Sequence, residues 1–569
     1  MTTQTHTGCA VTSSRPRFAK LNLLIVAVLA LTGVSAHAQT TPDAGRLLQE
    51  QTLPPQLPKP VQGISIQSPA TVATPSGGAQ VVLQSISFMG NTRYTQAQLQ
   101  VLLADAVGKS FDLAGLRALA ERVSDHYRAA GYPFASAYIA PQSMQGGALQ
   151  IAIIEGQYGQ VKAQSDDARL ASAAQFFLAP LKSGSVIESA PLERLSLLLE
   201  DQPGLKVSPI IRPGQEVGTG DLIINVERTQ RVTGDAGLDN QGNRYTGRDR
   251  AHFNLDLNSP FTMGDQIILR SLLTDQSMWM GTLGYNLPVS STGLRGSVSY
   301  SHAYYELGGS FAINQSTGTA DVVSMGLSYP LIRSQRASLT LAGAWQDKKL
   351  NDKNGLANTS ADKTSTTLPL SLNFDLRDGV GGWGITYGAV SWTLGEIKLL
   401  DANALASDSQ AKTNGNFNKI NLDIAHLQSI NASFTAFARL STQGASKNLD
   451  SSEDFSLGGA NGVRAYPTGE AFGDAGWLTQ LELRYSAGPY APYAFYDVGS
   501  VTTNANPWEG SGANERKLAG AGFGLRYQRG HWSADAALAW RLEGGKPQAD
   551  TVDTRENGPQ AWMSLAYKF

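Results

Sequence analysis

Trp532, Ala534, Ala536, Leu538 and Trp540 occupy every second position of one short stretch. Ser533, Asp535 and Arg541 take the other parity, with small Ala537 and Ala539 between them. A period of two belongs to a strand with unlike faces. A Trp at each end of the apolar face suits a strand that crosses lipid between two aromatic girdles. Ala561, Met563, Leu565, Tyr567 and Phe569 repeat the pattern. From about residue 231 to 569 no helical period stands out, and short runs of this kind alternate with Gly, Asn, Asp and Ser turns. At roughly ten residues per strand plus turns, about sixteen strands fit there. The expected fold is a transmembrane β-barrel of about 16 antiparallel strands. The aromatic ends, the terminal aromatic strand and the leader described next fit it better than a soluble β-sandwich or propeller.

The N-terminus reads as a secretory leader over residues 1–38. Arg15, Arg17 and Lys20 precede an apolar stretch at 21–34, and Ala36-His37-Ala38 forms a small-x-small cleavage site. Mature sequence is expected from Gln39. The sole cysteine, Cys9, lies inside the leader, ahead of the apolar stretch. It is not placed as a lipid-attachment residue, and the mature part has no thiol for disulfides, metal sites or nucleophiles. Lys and Arg number 45 against 47 Asp and Glu, without the basic excess of a nucleic-acid binder. The 59 glycines and the 16% charged fraction suit a chain with many turns.

Ahead of the barrel the pattern changes. Residues 44–51 (AGRLLQEQ) carry good helix formers. Residues 53–78 hold Pro54, Pro55, Pro58, Pro60, Pro69 and Pro75, a semi-rigid linker able to reach on the order of 75 Å. Residues 79–157 read as a β-α-α-β-β module: a strand at 82–89, helices at 95–104 and 112–130, and strands at 134–140 and 149–154. Thr95 is placed as a helix cap, and Gly131 and Pro133 stop the second helix. Residues 158–228 repeat the order, which implies two copies of one unit. The strands at 83–89 and 134–140 are candidate edges for adding an extended client strand.

Residues 458–470 (GGANGVRAYPTGE) interrupt the strand series. Glycines flank one Arg set between apolar and aromatic neighbours, and Pro467 stiffens the exit. This content fits a loop that holds a shape and presents Arg464, a residue suited to a fixed bidentate grip on a carboxylate.

These residues together resemble the TpsB transporters of two-partner secretion, the haemolysin activation/secretion family within the Omp85 superfamily. Val463, Arg464, Ala465 and Tyr466 resemble the superfamily's Val-Arg-Gly-Tyr/Phe loop motif, with Ala at the Gly position. Phe495, Asp497 and Gly499, in Phe-Tyr-Asp-Val-Gly, resemble the barrel-wall motif that pairs with it. Asp239, Asn240, Gly242, Thr246, Gly247 and Arg250 resemble the start of the family's barrel. The resemblance makes residues 39–52 a plug helix, 79–157 and 158–228 two POTRA-like domains, and 229–569 the outer-membrane barrel. It folds a loop at about 444–477, after the eleventh strand, back into the lumen, with Asp497 as partner of Arg464. It also makes Tyr567 and Phe569 a C-terminal assembly signal.

The function it implies is secretion of a large TpsA-type exoprotein through the outer membrane of a Gram-negative bacterium. Outer-membrane lipid, the barrel-assembly machinery and periplasmic chaperones would be its other partners. An Omp85-type assembly factor or a passive porin-like channel are the alternatives. Two modules and a Pro-rich tether favour secretion. No enzyme activity, cofactor or metal is expected. Residues 379–384 match G-x-G-x-x-G but lack the βαβ setting of a nucleotide site and read as a turn. In a partly wet lumen an Arg464–Asp497 pair is expected to contribute about 1 kcal/mol.

Overall fold

The computed structural model describes residues 42–52, 54–59, 77–378, 383–549 and 558–569. The expected leader, most of the linker and four residues of the turn at 379–384 lie outside the described residues.

Both modules have one topology. In the first, Ser85–Met89 pairs parallel with a central strand, Ala148–Ile154, and Ser136–Tyr138 pairs antiparallel on its other side. In the second, Gln157–Gln164 and Leu205–Pro213 flank Thr219–Arg228 in the same senses. The strands at 85–89 and 136–138 are therefore the outer strands of their sheet. Thr95 caps the helix Gln96–Leu102 in a reciprocal box with Gln98. Asp112 caps the helix Leu113–Ala129, whose Leu116, Leu119, Ala120, Val123 and Tyr127 form one buried stripe at helical spacing. Each large side chain buried there stabilises by about 1.5–3 kcal/mol relative to exposure.

The second module is latched to the barrel through its helix Ser189–Glu200 and the residues that follow it. Arg194 Nη2 donates to the carbonyls of Pro330 (2.6 Å) and Thr292 (3.4 Å), and Nη1 to that of Leu331 (3.4 Å). Both oxygens of Asp201 accept from Arg333, each at 2.7 Å. Arg295 donates to Gln202 at 2.7 Å. These contacts fix the module under the barrel turns at one end, here called the near end.

The barrel closes on itself with sixteen antiparallel strands, from Val232–Asp239 to Gln560–Lys568. Alternation governs each wall. In Ala475–Tyr485, Leu478, Gln480 and Glu482 are buried toward the lumen, and Trp477, Leu481, Leu483 and Tyr485 are exposed on the outside. Trp532 opens its strand and Trp540 lies near the other end, both exposed. Strands in the middle of the series exceed the ten-residue expectation. Thr359–Asp378 has 20 residues, and at roughly 3.3 Å per residue such a strand overreaches a bilayer and projects beyond it.

The seam between first and last strands is short. It has five registered pairs, Ser564↔Asp239 to Lys568↔Asp235. Gly234 and Phe569 then exchange both backbone hydrogen bonds at 3.0 Å. At the other end of the seam Asn240 lengthens the ladder with its side chain, accepting from Met563 N at 2.8 Å and donating to the Ala561 carbonyl at 3.2 Å. The Phe569 ring stacks on Phe253, with centroids 6.0 Å apart.

One carboxylate organises the first module. Glu155 accepts from the backbone N–H groups of Thr92 (2.7 Å) and Arg93 (2.8 Å), the Tyr127 hydroxyl (3.0 Å) and the Thr92 hydroxyl. Burial opposes its charge, but these donors outweigh burial and hold its pKa below the ordinary glutamate value. The stability it contributes is present above the unfolded-state pKa and is lost as pH falls through the lowered one. The module should therefore keep its melting temperature down to about pH 4 and lose it below. Glu155→Gln should cost about 2 kcal/mol at neutral pH and flatten the acid limb. Calorimetry of the full chain checks both.

Candidate functional site

The eleventh strand, Phe434–Ala445, and the twelfth, Ala475–Tyr485, bound a loop at 446–474, slightly shorter than the 444–477 expected because both strands run further. The loop enters at the far end of the barrel and turns into the lumen. Leu457, Val463, Ala465 and Tyr466 are fully buried there.

At its tip Arg464 grips the wall. Nε and Nη2 donate to the two Asp497 oxygens at 2.8 and 2.7 Å, a bidentate fork, and the Arg464 backbone N–H adds a third bond to Asp497 at 3.1 Å. Nη1 donates to Glu482 at 2.6 Å. The guanidinium carbon lies 3.7 Å from the Phe495 ring centroid, a stacked cation–π contact. Val463 N bonds the Leu457 carbonyl at 2.8 Å, which tightens the turn behind the tip. Trp562 Nε1 donates to the Arg464 carbonyl at 2.7 Å, and the Tyr466 hydroxyl donates to the Glu543 carbonyl at 2.7 Å. Gly499 leaves room for Leu457, whose Cδ1 would lie 2.5 Å from any Cβ there.

This site is drier than the sequence suggested. Arg464 is 5% exposed and Asp497 0%. Surface screening does not apply, and removing Arg464 strands the buried Asp497 carboxylate at a cost of about 3–5 kcal/mol rather than about 1.

Sequence reasoning also missed Glu482. It accepts from Arg484 Nε at 2.7 Å and Arg526 Nη1 at 3.0 Å as well as from Arg464. The signal was available, since Gln480, Glu482 and Arg484 share the lumenal parity of their strand. Only the pairing register sets Glu482 beside Phe495 and Gln480 beside Asp497.

The loop has two further anchors. At its base, Asp450 pairs with Lys363 (2.7 Å), and Glu453 with Lys348 (2.6 Å) and Lys419 (2.9 Å). Beyond the tip, Glu470 pairs with Arg516 and accepts from Gln548 N (2.8 Å) and Ala549 N (3.0 Å).

The helix Ala44–Glu50 also lies in the lumen, against the loop base. Asp43 caps it, accepting from Arg46 N at 2.9 Å, while its second oxygen takes the Ser451 hydroxyl at 2.7 Å. Ala44 N donates to Asp352 on the wall at 2.9 Å. Leu47 joins a buried cluster with Tyr245, Leu272 and Tyr305. Gly45 permits the close approach, because a Cβ there would come within 2.5 Å of Ser452 N. A cavity of about 580 Å³ remains, lined by helix, loop and wall together, Glu50, Gly458, Lys348 and Arg439 among them.

The barrel-start residues meet both inserts. Arg250 Nε donates to Asp239 at 2.7 Å and Nη1 to Gln51 at 3.2 Å. Asn243 donates to Glu50 at 2.7 Å, and the Thr468 hydroxyl to the Gln241 carbonyl at 2.8 Å. Thr246 gives its carbonyl to the Thr274 hydroxyl at 2.5 Å. Gly242 is pressed against Gly247, since a Cβ at 242 would lie 1.9 Å from the Gly247 carbonyl oxygen. Tyr567 packs edge-on against Trp532 on the outer face, away from the loop.

Residues 218–527, more than half of the chain, match the family described as haemolysin secretion/activation protein ShlB/FhaC/HecB. Residues 81–156 match the ShlB-type POTRA domain. The heme/hemopexin transporter protein HuxB of Haemophilus influenzae (strain 86-028NP) is 26% identical over 499 residues, covering 84% of this chain and 85% of that protein. The outer membrane transporter CdiB of Escherichia coli is 25% identical over 488 residues, covering 82% and 79%. The solved structure of CdiB from Escherichia coli superposes with a TM-score of 0.70 at 21% identity, over 92% of this chain and 95% of that one.

The charge geometry makes the two halves of the grip unequal. Arg464→Ala leaves Asp497 stranded, whereas Asp497→Ala leaves Arg464 paired with Glu482. Both variants should assemble as heat-modifiable barrels. Arg464→Ala should raise conductance in planar bilayers more than Asp497→Ala does. The double variant should be no worse than Arg464→Ala, since both changes remove one interaction. Additive effects would show that the two residues act separately.

Proposed function

This chain belongs to the haemolysin secretion/activation family of ShlB, FhaC and HecB, and from that premise we propose that it carries one large TpsA-type exoprotein across the outer membrane. Family members are outer-membrane transporters of two-partner secretion, and their POTRA domains lie in the periplasm. The client meets the two POTRA domains first, at 79–157 and 158–228, and crosses extended through the barrel at 229–569. Folding of the client outside, or binding differences along the path, supplies the drive.

The observation that carries this reading is a pore closed by two removable inserts. The helix and the loop enter the same lumen and bond to each other through Asp43 and Ser451. Neither insert is part of the wall, so both can leave without breaking the strand ladder. Val463, Arg464, Ala465 and Tyr466 act as the docking tip, with Phe495, Asp497 and Gly499 as its seat. Asp239, Asn240 and Arg250 join seam and plug at one junction, and the neighbouring Gln241 carbonyl adds the loop through Thr468. Tyr567 and Phe569 end the closing strand and serve as the signal read by the barrel-assembly machinery, after periplasmic chaperones deliver the chain.

Two deletions test this. Removing residues 81–158 should abolish secretion of the client while leaving a heat-modifiable barrel in the outer membrane. Normal secretion would remove client docking from the reading. Removing residues 39–52 should raise single-channel conductance, and an unchanged value would mean that the helix is no plug.

A further inference from the structure

Ala465 stands where the family motif has Gly, and the structure shows what accommodates it. Its backbone is not left-handed: among the described residues the positive-φ positions other than glycine are Ser259, Ser277, Gln315, Asn358 and Lys412. An Ala is thus unstrained at 465, and the question becomes where its methyl goes. It goes onto Gly520. A Cβ built at Gly520 would lie 2.3 Å from the Ala465 Cβ. No real pair of carbons comes so close, so the missing side chain at 520 is the space that the methyl fills. Gly520 has no positive φ either, which leaves room rather than backbone freedom as the use of this glycine.

The position of Gly520 is specific. It is registered directly opposite Asp497 on the neighbouring strand, and Asp497 is registered opposite Gln480 on the next. These three residues form one row across strands twelve, thirteen and fourteen of the barrel. Each receives one part of the tip. Gln480 Nε2 donates to the Gly462 carbonyl at 2.9 Å. Asp497 takes the Arg464 fork, and Gly520 takes Ala465. The row reads hydrogen bond, charge and shape in turn.

We propose that Gly520 is a positioning residue for the loop tip. It forms a methyl-sized slot that admits Ala465 and thereby sets the Arg464 guanidinium on Asp497. The slot and residue 465 are sized to each other, so their sum matters and neither identity alone. This rests on the reading of the loop as a closing element, and it adds a steric gate to the electrostatic one.

The test exchanges the two sizes. Arg464 is buried when docked, so trypsin cleavage after Arg464 in the purified full-length protein reports an undocked tip without any client. Gly520→Ala should raise that cleavage rate about ten-fold or more, because a methyl forced into a filled site is strongly disfavoured. Conductance should rise with it. Ala465→Gly alone, which empties the slot, should loosen the tip only a few-fold. The double variant Gly520→Ala with Ala465→Gly should return to near wild-type protection. There the nearest atom of residue 465 to the new methyl is its Cα at 3.5 Å, an ordinary contact, and the tighter Trp540 carbonyl oxygen at 3.1 Å needs only a small shift to clear it.

Wild-type protection in Gly520→Ala would overturn the slot. So would a double variant no better protected than Gly520→Ala. If Gly520→Ala fails to assemble, recovery of a heat-modifiable barrel in the double variant supports the slot, and failure of both overturns it. Secretion is scored separately. Restored protection without any effect of the single variant on secretion would keep the slot and sink the loop's role in transport.

Discussion

Asp497 depends on one residue. It is fully buried, and all three of its hydrogen bonds among the described residues come from Arg464. A carboxylate in that position is tolerable only while the loop is docked. Glu482 is different, since Arg484 and Arg526 remain on it whether or not the loop is present. The wall thus carries one acid that needs the loop and one that does not. The first makes the docked state specific. The second is held by arginines of the wall itself, independently of the loop. The other anchors follow the same logic in reverse: at the base the loop supplies the acids, Asp450 and Glu453, and the wall supplies Lys348, Lys363 and Lys419.

The lumenal helix Ala44–Glu50 leans on this arrangement. Seven residues are too few for a stable helix on their own. Its order comes from Asp43 at its N-terminus, from Leu47 among wall aromatics, and from Gly45 pressed on the loop base. Helix and loop therefore stabilise one another. Loss of one removes hydrogen bonds and contacts from the other, and the two are coupled in the sense of a shared free energy, with no need for a signal along the wall.

Much of this was legible in the sequence, and the boundary of what was legible has a physical cause. Local periodicity gave the strands, because a lipid-facing strand must alternate from Trp532 to Trp540. The cap at Thr95 and the stops at Gly131 and Pro133 gave the first module's helices. The β-α-α-β-β order appeared twice because each unit closes its own core. The partners of Arg464 were only half visible. Asp497 came through the resemblance, but Glu482 and Gly520 depend on which residues face each other across strands, and register is a non-local quantity. The dryness of the site was equally hidden. It arises from Phe495, Tyr466 and Trp562 converging from three segments far apart in the chain, and no local pattern encodes that convergence. The extra length of strands such as Thr359–Asp378 was obscured because their outer halves are polar and read as turns.

Arg194 has a consequence of another kind. Its guanidinium addresses the main-chain oxygens of Pro330, Leu331 and Thr292, and a carbonyl is present whatever side chain it carries. This part of the latch between module and barrel is blind to the identity of the turn residues. The turns can drift in sequence while the joint keeps its geometry, so long as the chain path and one arginine persist. Asp201 with Arg333 lacks that freedom, since each needs the other. Across lineages the joint should therefore look better preserved in shape than in letters, with substitutions accumulating where the protein is mechanically least free to move.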